Sequence, residues 1–241
     1  LLSTAVSASA SARYARSNIY APKPATTLLL NREVPVEDLG ILYAFAAPEA
    51  SVKNQALSQI LARHLRVRAF ETLRTEEQLG YAAGGGALDL YKHPMVILYI
   101  QTPVKGPQEM LDRFTAYTEE YRDELAALPE ASFEKFKAGV LTALTEPPKN
   151  LSAEAGPFVS DWAIEHYDFD TRAKLIAAVN AATLQDVQRF YEETVFSEAS
   201  SRIVIQLRGK RYSERPFATV DGGVVIDDID KFHNDMPVQA R

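Results

Sequence analysis

The histidines are the first candidates for chemistry, because two on one helical turn can hold a zinc ion that activates water. The sequence has four, His64, His93, His166 and His233, and none has another within helical reach. Trp162-Ala163-Ile164-Glu165-His166 comes close to the order H-x-x-E-H, but a tryptophan, which cannot bind zinc, stands where the first ligand belongs. His64 reads as a partly buried helix residue, and no metal ligands are assigned in this chain. No G-x-S-x-G elbow, P-loop or dinucleotide-binding glycine pattern occurs, and no nucleophile has a base at a recognisable spacing. Gly84-Gly85-Gly86 implies a bulge or a close backbone approach in a strand, or a loop along which a substrate strand lies. Arg208, Lys210 and Arg211, and the pairs Glu76-Glu77 and Glu119-Glu120, read as solvated surface.

One segment stands apart, Phe70-Glu71-Thr72-Leu73-Arg74-Thr75-Glu76-Glu77-Gln78-Leu79-Gly80-Tyr81. An arginine near a helix C-terminus is followed by a glycine and then a tyrosine. The residues alone leave two readings open. Arg74 could cap helix carbonyls or pair with Glu77 or Glu71 while Tyr81 joins the core, or the two could form part of a site.

The elements that would position this segment follow from hydrophobic spacing. Thr26 to Asn31 and Leu39 to Ala47 read as strands, either a hairpin or neighbours. Leu57, Leu61 and Leu65, flanked by Ile60, Val67 and Phe70, give one apolar helix face from about Ser51 to Arg74, with Gly80 marking its exit. Tyr81 to Leu90 is a glycine-weakened strand and Met95 to Thr102 an alternating one. Two helical stripes follow, Met110–Phe114–Tyr117–Tyr121–Leu125 and Phe133–Phe136–Val140–Leu144. The next helix, Leu151 to Tyr167, has Ala155, Phe158, Trp162 and His166 on one face, with Pro157 in its first turn or kinking it. A short helix runs from Phe169 to Val179. Thr183-Leu184-Gln185-Asp186 has the spacing of a capping box that opens the last helix, and Ile203-Val204-Ile205 is a closing strand. This order predicts an α+β fold, a mainly antiparallel sheet with helices packed on one face.

The chain has 241 residues, 46% of them hydrophobic and 24% charged, with a net charge of −6. That suits one sizeable domain with tails: 1–25 as a linker from an upstream domain, 26–210 as the domain and 211–241 as a C-terminal tail. Leu1 to Ala10 reads as the end of a signal peptide or as a Ser/Ala-rich linker, and a first residue that is not methionine suggests a mature product or a fragment. Cysteine is absent, which excludes disulfides, thiolate metal sites and cysteine nucleophiles. The acidic balance argues against nucleic acid and anionic membranes as partners. No apolar run approaches the roughly 20 residues of a membrane-spanning helix.

The string Leu73-Arg74-Thr75-Glu76-Glu77-Gln78-Leu79-Gly80-Tyr81 resembles the C-terminal half of the M16 zinc metallopeptidases, the family of the pitrilysin and insulin-degrading-enzyme type. Asn150 to Ala155, Tyr167-Asp168-Phe169-Asp170 and Thr183 to Val187 extend the resemblance, which covers about Thr26 to Leu207. In that family four homologous α/β domains form two halves around a chamber, and the zinc motif lies in the first domain. The resemblance implies that this chain is the fourth (LuxS-like) domain, with Zn2+ held in the parent's N-terminal half and no cofactor here. It implies peptide substrates, homologous domains of the same parent chain as partners, and a periplasmic location if the analogy to pitrilysin is close. By the same resemblance Arg74 and Tyr81 match the arginine and tyrosine that reach a composite site, where a guanidinium and a phenol stabilise the carbonyl oxygen or hold the substrate backbone. Gly84 and Gly85 follow as places where backbone could approach the substrate. The domain alone is then inactive. The alternatives are an inactive M16-like scaffold or interaction subunit, and an unrelated α+β binding module.

Overall fold

The computed structural model describes residues 24–90 and 92–235, so the linker expected at 1–25 lies almost wholly outside the described residues. One compact unit spans Lys23–Asp227. Its centre is a six-stranded sheet in the order β3-β4-β2-β5-β1-β6. The strands are β1 (Thr27–Glu33), β2 (Leu39–Ala46), β3 (Ala82–Leu90), β4 (His93–Thr102), β5 (Arg202–Arg208) and β6 (Val224–Val225). Pairing is antiparallel for β3 with β4, β4 with β2 and β2 with β5. It is parallel for β1 with β5 and β6. The fold is therefore α+β with a mixed sheet in which antiparallel pairs predominate. β1 and β2 are not a hairpin, and they are not neighbours: β5 returns from the far end of the chain and lies between them. Local spacing carries no signal for a strand arriving from so far along the chain.

The pleat sorts side chains by alternation. Leu39, Ile41, Tyr43 and Phe45 of β2, with Val96, Leu98 and Ile100 of β4, are buried in one core. The opposite face carries Leu42, Tyr99 and Leu207 around a shallow apolar depression of about 220 Å³. The helices that cover the core are α1 (Val52–Ala69), α2 (Pro107–Ala126), α3 (Glu130–Thr145), α4 (Leu151–Ala163), α5 (Thr171–Ala181) and α6 (Leu184–Tyr191). Ser51 caps α1 by accepting from the Asn54 N–H, and Leu57, Leu61 and Leu65 are buried along it. The capping box expected at Thr183 forms, with Thr183 Oγ1 accepting from the Asp186 N–H and Asp186 Oδ2 from the Thr183 N–H.

α4 departs from expectation. It stops at Ala163, short of His166, and Pro157 sits mid-helix rather than in the first turn. Phe158 and Trp162 are exposed, and the buried residue is Asp161. Asp161 Oδ2 accepts from the Thr171 N–H at the start of α5, and its backbone carbonyl from the His166 N–H. A polar anchor to the next helix therefore sets the inward face.

The compact unit also extends past residue 210, where the sequence places the start of a tail. Tyr212 and Ala218 are buried. The fully buried Gln206 amide explains this, since it donates to Asn31 Oδ1 and the Ala218 carbonyl and accepts from the Ala218 N–H. Beyond it, α7 (Ile229–Asp235) belongs to a separate unit. There Asp228 Oδ1 accepts from the N–H groups of Asp230 and Lys231.

The core holds one titratable group of consequence. His64 Nδ1 lies 3.0 Å from the phenol of the fully buried Tyr121. Burial pushes the His64 pKa down, against the opposing pull of Glu124. Between the folded value and the unfolded value of about 6.5, the unfolded chain binds the extra proton. This contribution is therefore complete above about pH 6.5 and declines as the pH falls towards the folded pKa. Urea midpoints should fall between pH 7 and pH 5.5 in the wild type and fall less in His64→Gln. An equal slope in both would show that His64 is not the titrating group.

Candidate functional site

The segment singled out in the sequence continues α1 and then reverses. Phe70–Glu76 forms a wider, π-type turn. The Glu77 N–H reaches back to the Thr72 carbonyl and the Leu79 N–H to that of Leu73, both at 3.0 Å. Such turns occur where a helix must present side chains that a regular ladder would not. Leu73 and Leu79 are buried on either side of the reversal.

Gln78, not Gly80, takes the left-handed conformation that ends the helix, with φ of +53°. Gly80 is needed for a different reason: a Cβ there would lie 2.0 Å from the Gln101 carbonyl oxygen of β4. Thr102 Oγ1 donates to the Leu79 carbonyl beside it. The loop is thus sealed against the end of β4, and Tyr81 emerges where β3 begins.

Arg74 and Tyr81 come together. The guanidinium carbon of Arg74 lies 4.7 Å from the Tyr81 ring centroid and 4.7 Å from that of Phe70, one helical turn earlier. A guanidinium lying over two rings is held there by cation–π attraction. Among the described residues no hydrogen bond or ion pair occupies those donors. The carboxylates expected to pair with Arg74 are engaged elsewhere, Glu71 with Arg68 and Glu77 with Arg113. Tyr81 is 82% exposed, so it is not a core residue. Phe70 is the residue that sequence reasoning missed as part of this group. Its place four residues before Arg74 on the same helix face was the available signal.

The three glycines of β3 differ. A Cβ on Gly85 would sit 2.7 Å from Leu65 Cγ of α1, and one on Gly84 would sit 2.9 Å from the Tyr99 hydroxyl. Both have a packing reason to be glycine. Gly86 faces open space. β3 is an edge of the described sheet, so its outer backbone lies beside Tyr81 without a neighbouring strand.

Two arginines brace the segment against α2. Arg68 donates to both oxygens of Glu124 at 2.8 and 2.9 Å and to Glu71 at 2.5 Å. Its hydrogen bonds hold the Glu124 carboxyl below the usual carboxylate range. Arg113 takes Glu77 and Glu120 together, and these bonds raise its own pKa.

Elsewhere, donor atoms of His166, Asp168 and Asp170 lie within 4.8 Å of one another. Asp170 Oδ1 already accepts from His166 Nε2 at 2.8 Å and from Lys174 Nζ at 2.9 Å. Asp170 is thus already engaged by the Lys174 ammonium and the His166 ring at the start of α5. The residues present do not form the H-x-x-E-H zinc set, since Trp162 takes the first position and His166 lies beyond the end of its helix.

Comparison with known proteins agrees with this architecture. Residues 60–159 match the family model described as PQQ synthase PqqF-like, C-terminal lobe domain 4. Protease 3 of Escherichia coli K12 is 24% identical over 188 residues, 78% of this chain and 20% of that protein. The A-factor-processing enzyme of Saccharomyces cerevisiae is 27% identical over 187 residues, 75% of this chain and 18% of that one. The chain thus spans about one fifth of the length of these relatives. In structure, 94% of the chain superposes on 24% of the pitrilysin chain with a TM-score of 0.84 at 21% identity. An inactive M16 peptidase domain from Pseudomonas fluorescens superposes on 88% of the chain with a TM-score of 0.57 at 10% identity.

The loop geometry separates packing from exposure. Gly80→Ala should cost about 1–3 kcal/mol, because backbone has to move. Tyr81→Ala should cost no more than about 1 kcal/mol, the value of a surface cation–π contact. Urea unfolding of both variants checks this, and a Tyr81→Ala loss as large as that of Gly80→Ala would place Tyr81 in the core.

Proposed function

Starting from a chain that is an M16-type C-terminal domain, we propose that it is the non-zinc partner domain of a peptidase and lends Arg74 and Tyr81 to a composite site. The observation that carries this reading is the Arg74 guanidinium. It is held between two rings with its donors unspent, beside a phenol that faces solvent. A guanidinium and a phenol side by side can both donate to a peptide carbonyl oxygen and stabilise the negative charge that develops on it during hydrolysis. Protease 3, one of the relatives named above, is a protease, which supports peptides as the substrate class.

The sequence holds no H-x-x-E-H motif, so in this reading the zinc ligands and the general base belong to the parent's other half, and the chain alone is inactive. The edge of β3 beyond Tyr81 offers backbone along which an extended peptide can lie. Gly84 and Gly85 enter as part of that strand, in addition to their packing roles. The partners are homologous domains of the parent polypeptide. No helix among the described residues is long and apolar enough to cross a membrane.

The test uses the parent polypeptide with zinc and a quenched fluorescent peptide, and the 241-residue chain as blank. Arg74→Ala and Tyr81→Phe should each lower turnover by about two orders of magnitude, the cost of one preorganised donor, while unfolding midpoints stay close to wild type. Unchanged turnover in both variants would return the pair to a structural role and leave an inactive scaffold as the better account.

A further inference from the structure

Arg113 reaches the turn that separates Arg74 from Tyr81 and bonds to Glu77 within it. Its side chain rises from α2 and is 15% exposed. Nε lies 3.0 and 2.9 Å from the two Glu77 carboxylate oxygens, and Nη2 donates to the same carboxylate. Nη1 and Nη2 also donate to Glu120 at 3.1 and 2.8 Å. The guanidinium carbon stands 5.7 Å from the Tyr117 ring centroid. A planar guanidinium that grips a carboxylate through more than one N–H fixes its orientation as well as its distance.

Glu77 is the point where that grip matters. Its N–H closes the wide turn onto Thr72, and the next residue, Gln78, is in the left-handed region, a conformation unfavourable for a residue with a side chain. The Leu79 carbonyl and Gly80 are already fixed on the end of β4, and α1 holds the other end. Among the described residues from 75 to 80, Glu77 is the only one whose side chain makes a hydrogen bond or ion pair to another element. Without that anchor residues 75–78 keep no side-chain hydrogen bond to another element, so the turn would be free to relax and shift the Arg74 guanidinium against a Tyr81 ring held at the head of β3.

We propose that Arg113 is a positioning residue, which through its grip on Glu77 holds the turn in the form that stacks Tyr81 on Arg74. Its consequence for turnover rests on the reading of Arg74 and Tyr81 as substrate-facing. The positioning itself does not, and the two are measured separately.

Positioning is read in the 241-residue chain from the Arg74 Nε–H resonance, which the two flanking rings shift upfield. In Arg113→Met this resonance should move towards its position in Tyr81→Ala, where the ring is gone, while unfolding stays cooperative. The exchanged pair Arg113→Glu with Glu77→Arg should bring it back. If Arg113→Met does not fold, Arg113→Lys and Glu77→Gln carry the test, because each keeps a polar group and loses the multiple grip. A resonance unmoved in the variants that fold overturns the proposal, since a merely structural role would lower stability and leave the stack intact. In the parent polypeptide, Arg113→Met should lower kcat about tenfold or more with KM within about twofold, as expected for misplacement of a group that acts in the transition state. If the resonance moves but neither Arg113→Met nor Arg74→Ala alters turnover, positioning stands and the substrate-facing reading fails.

Discussion

The site depends on one close approach, Gly80 against the backbone of β4. The end of α1 has to cross from the helical layer to the edge of the sheet within a few residues. A side-chain carbon at Gly80 would overlap the Gln101 carbonyl. That contact sets where the chain enters β3, with the left-handed Gln78 and the buried Leu79 just before it and Tyr81 just after it. The wide turn before it is the other half of the same constraint. It rotates Arg74 to the side on which Tyr81 appears and leaves Leu73 in the core. Helix end, loop and strand start thus form one continuous device, and its product is a guanidinium lying over two aromatic rings.

Around this device the polar interactions are arranged in pairs. Arg68 ties the start of the turn to α2 through Glu124 and Glu71, and Arg113 ties its end through Glu77 and Glu120. Exposed ion pairs contribute little to stability singly. These are partly buried and carry several hydrogen bonds each, so their effect is to select one geometry. Arg74 has no such pair among the described residues and is held instead against the Phe70 and Tyr81 rings.

Much of this was legible in the sequence, and the reasons for the rest are specific. Spacing located β2, β4, α1 and α2, because each buries one face and its period survives in the residue order. The capping box at Thr183 was legible because its chemistry is local. β5 lying between β1 and β2 was not, since the partner comes from a remote part of the chain. The packing of residues 211–227 was hidden for a similar reason, since the anchor is the single buried amide of Gln206. Phe158 and Trp162, which share a face by spacing, are exposed, and Asp161 takes the inward position through its bond to α5. For the site, Arg74 and Tyr81 could be singled out as a pair, but Phe70 as the third member, Gln78 as the left-handed residue and Arg113 as the anchor required three-dimensional neighbours. Glycine at position 80 suggested a helix exit, and the structure assigns it to a close approach instead.

The central claim is that Arg74 and Tyr81 face the substrate across a site completed by another domain. A structure of the parent polypeptide with zinc and a non-hydrolysable peptide analogue tests it most directly. The account predicts the Arg74 guanidinium and the Tyr81 phenol within hydrogen-bonding distance of the analogue, at the group that replaces the scissile carbonyl or on the adjoining backbone. An analogue bound at the zinc with both side chains turned away from it would contradict the account.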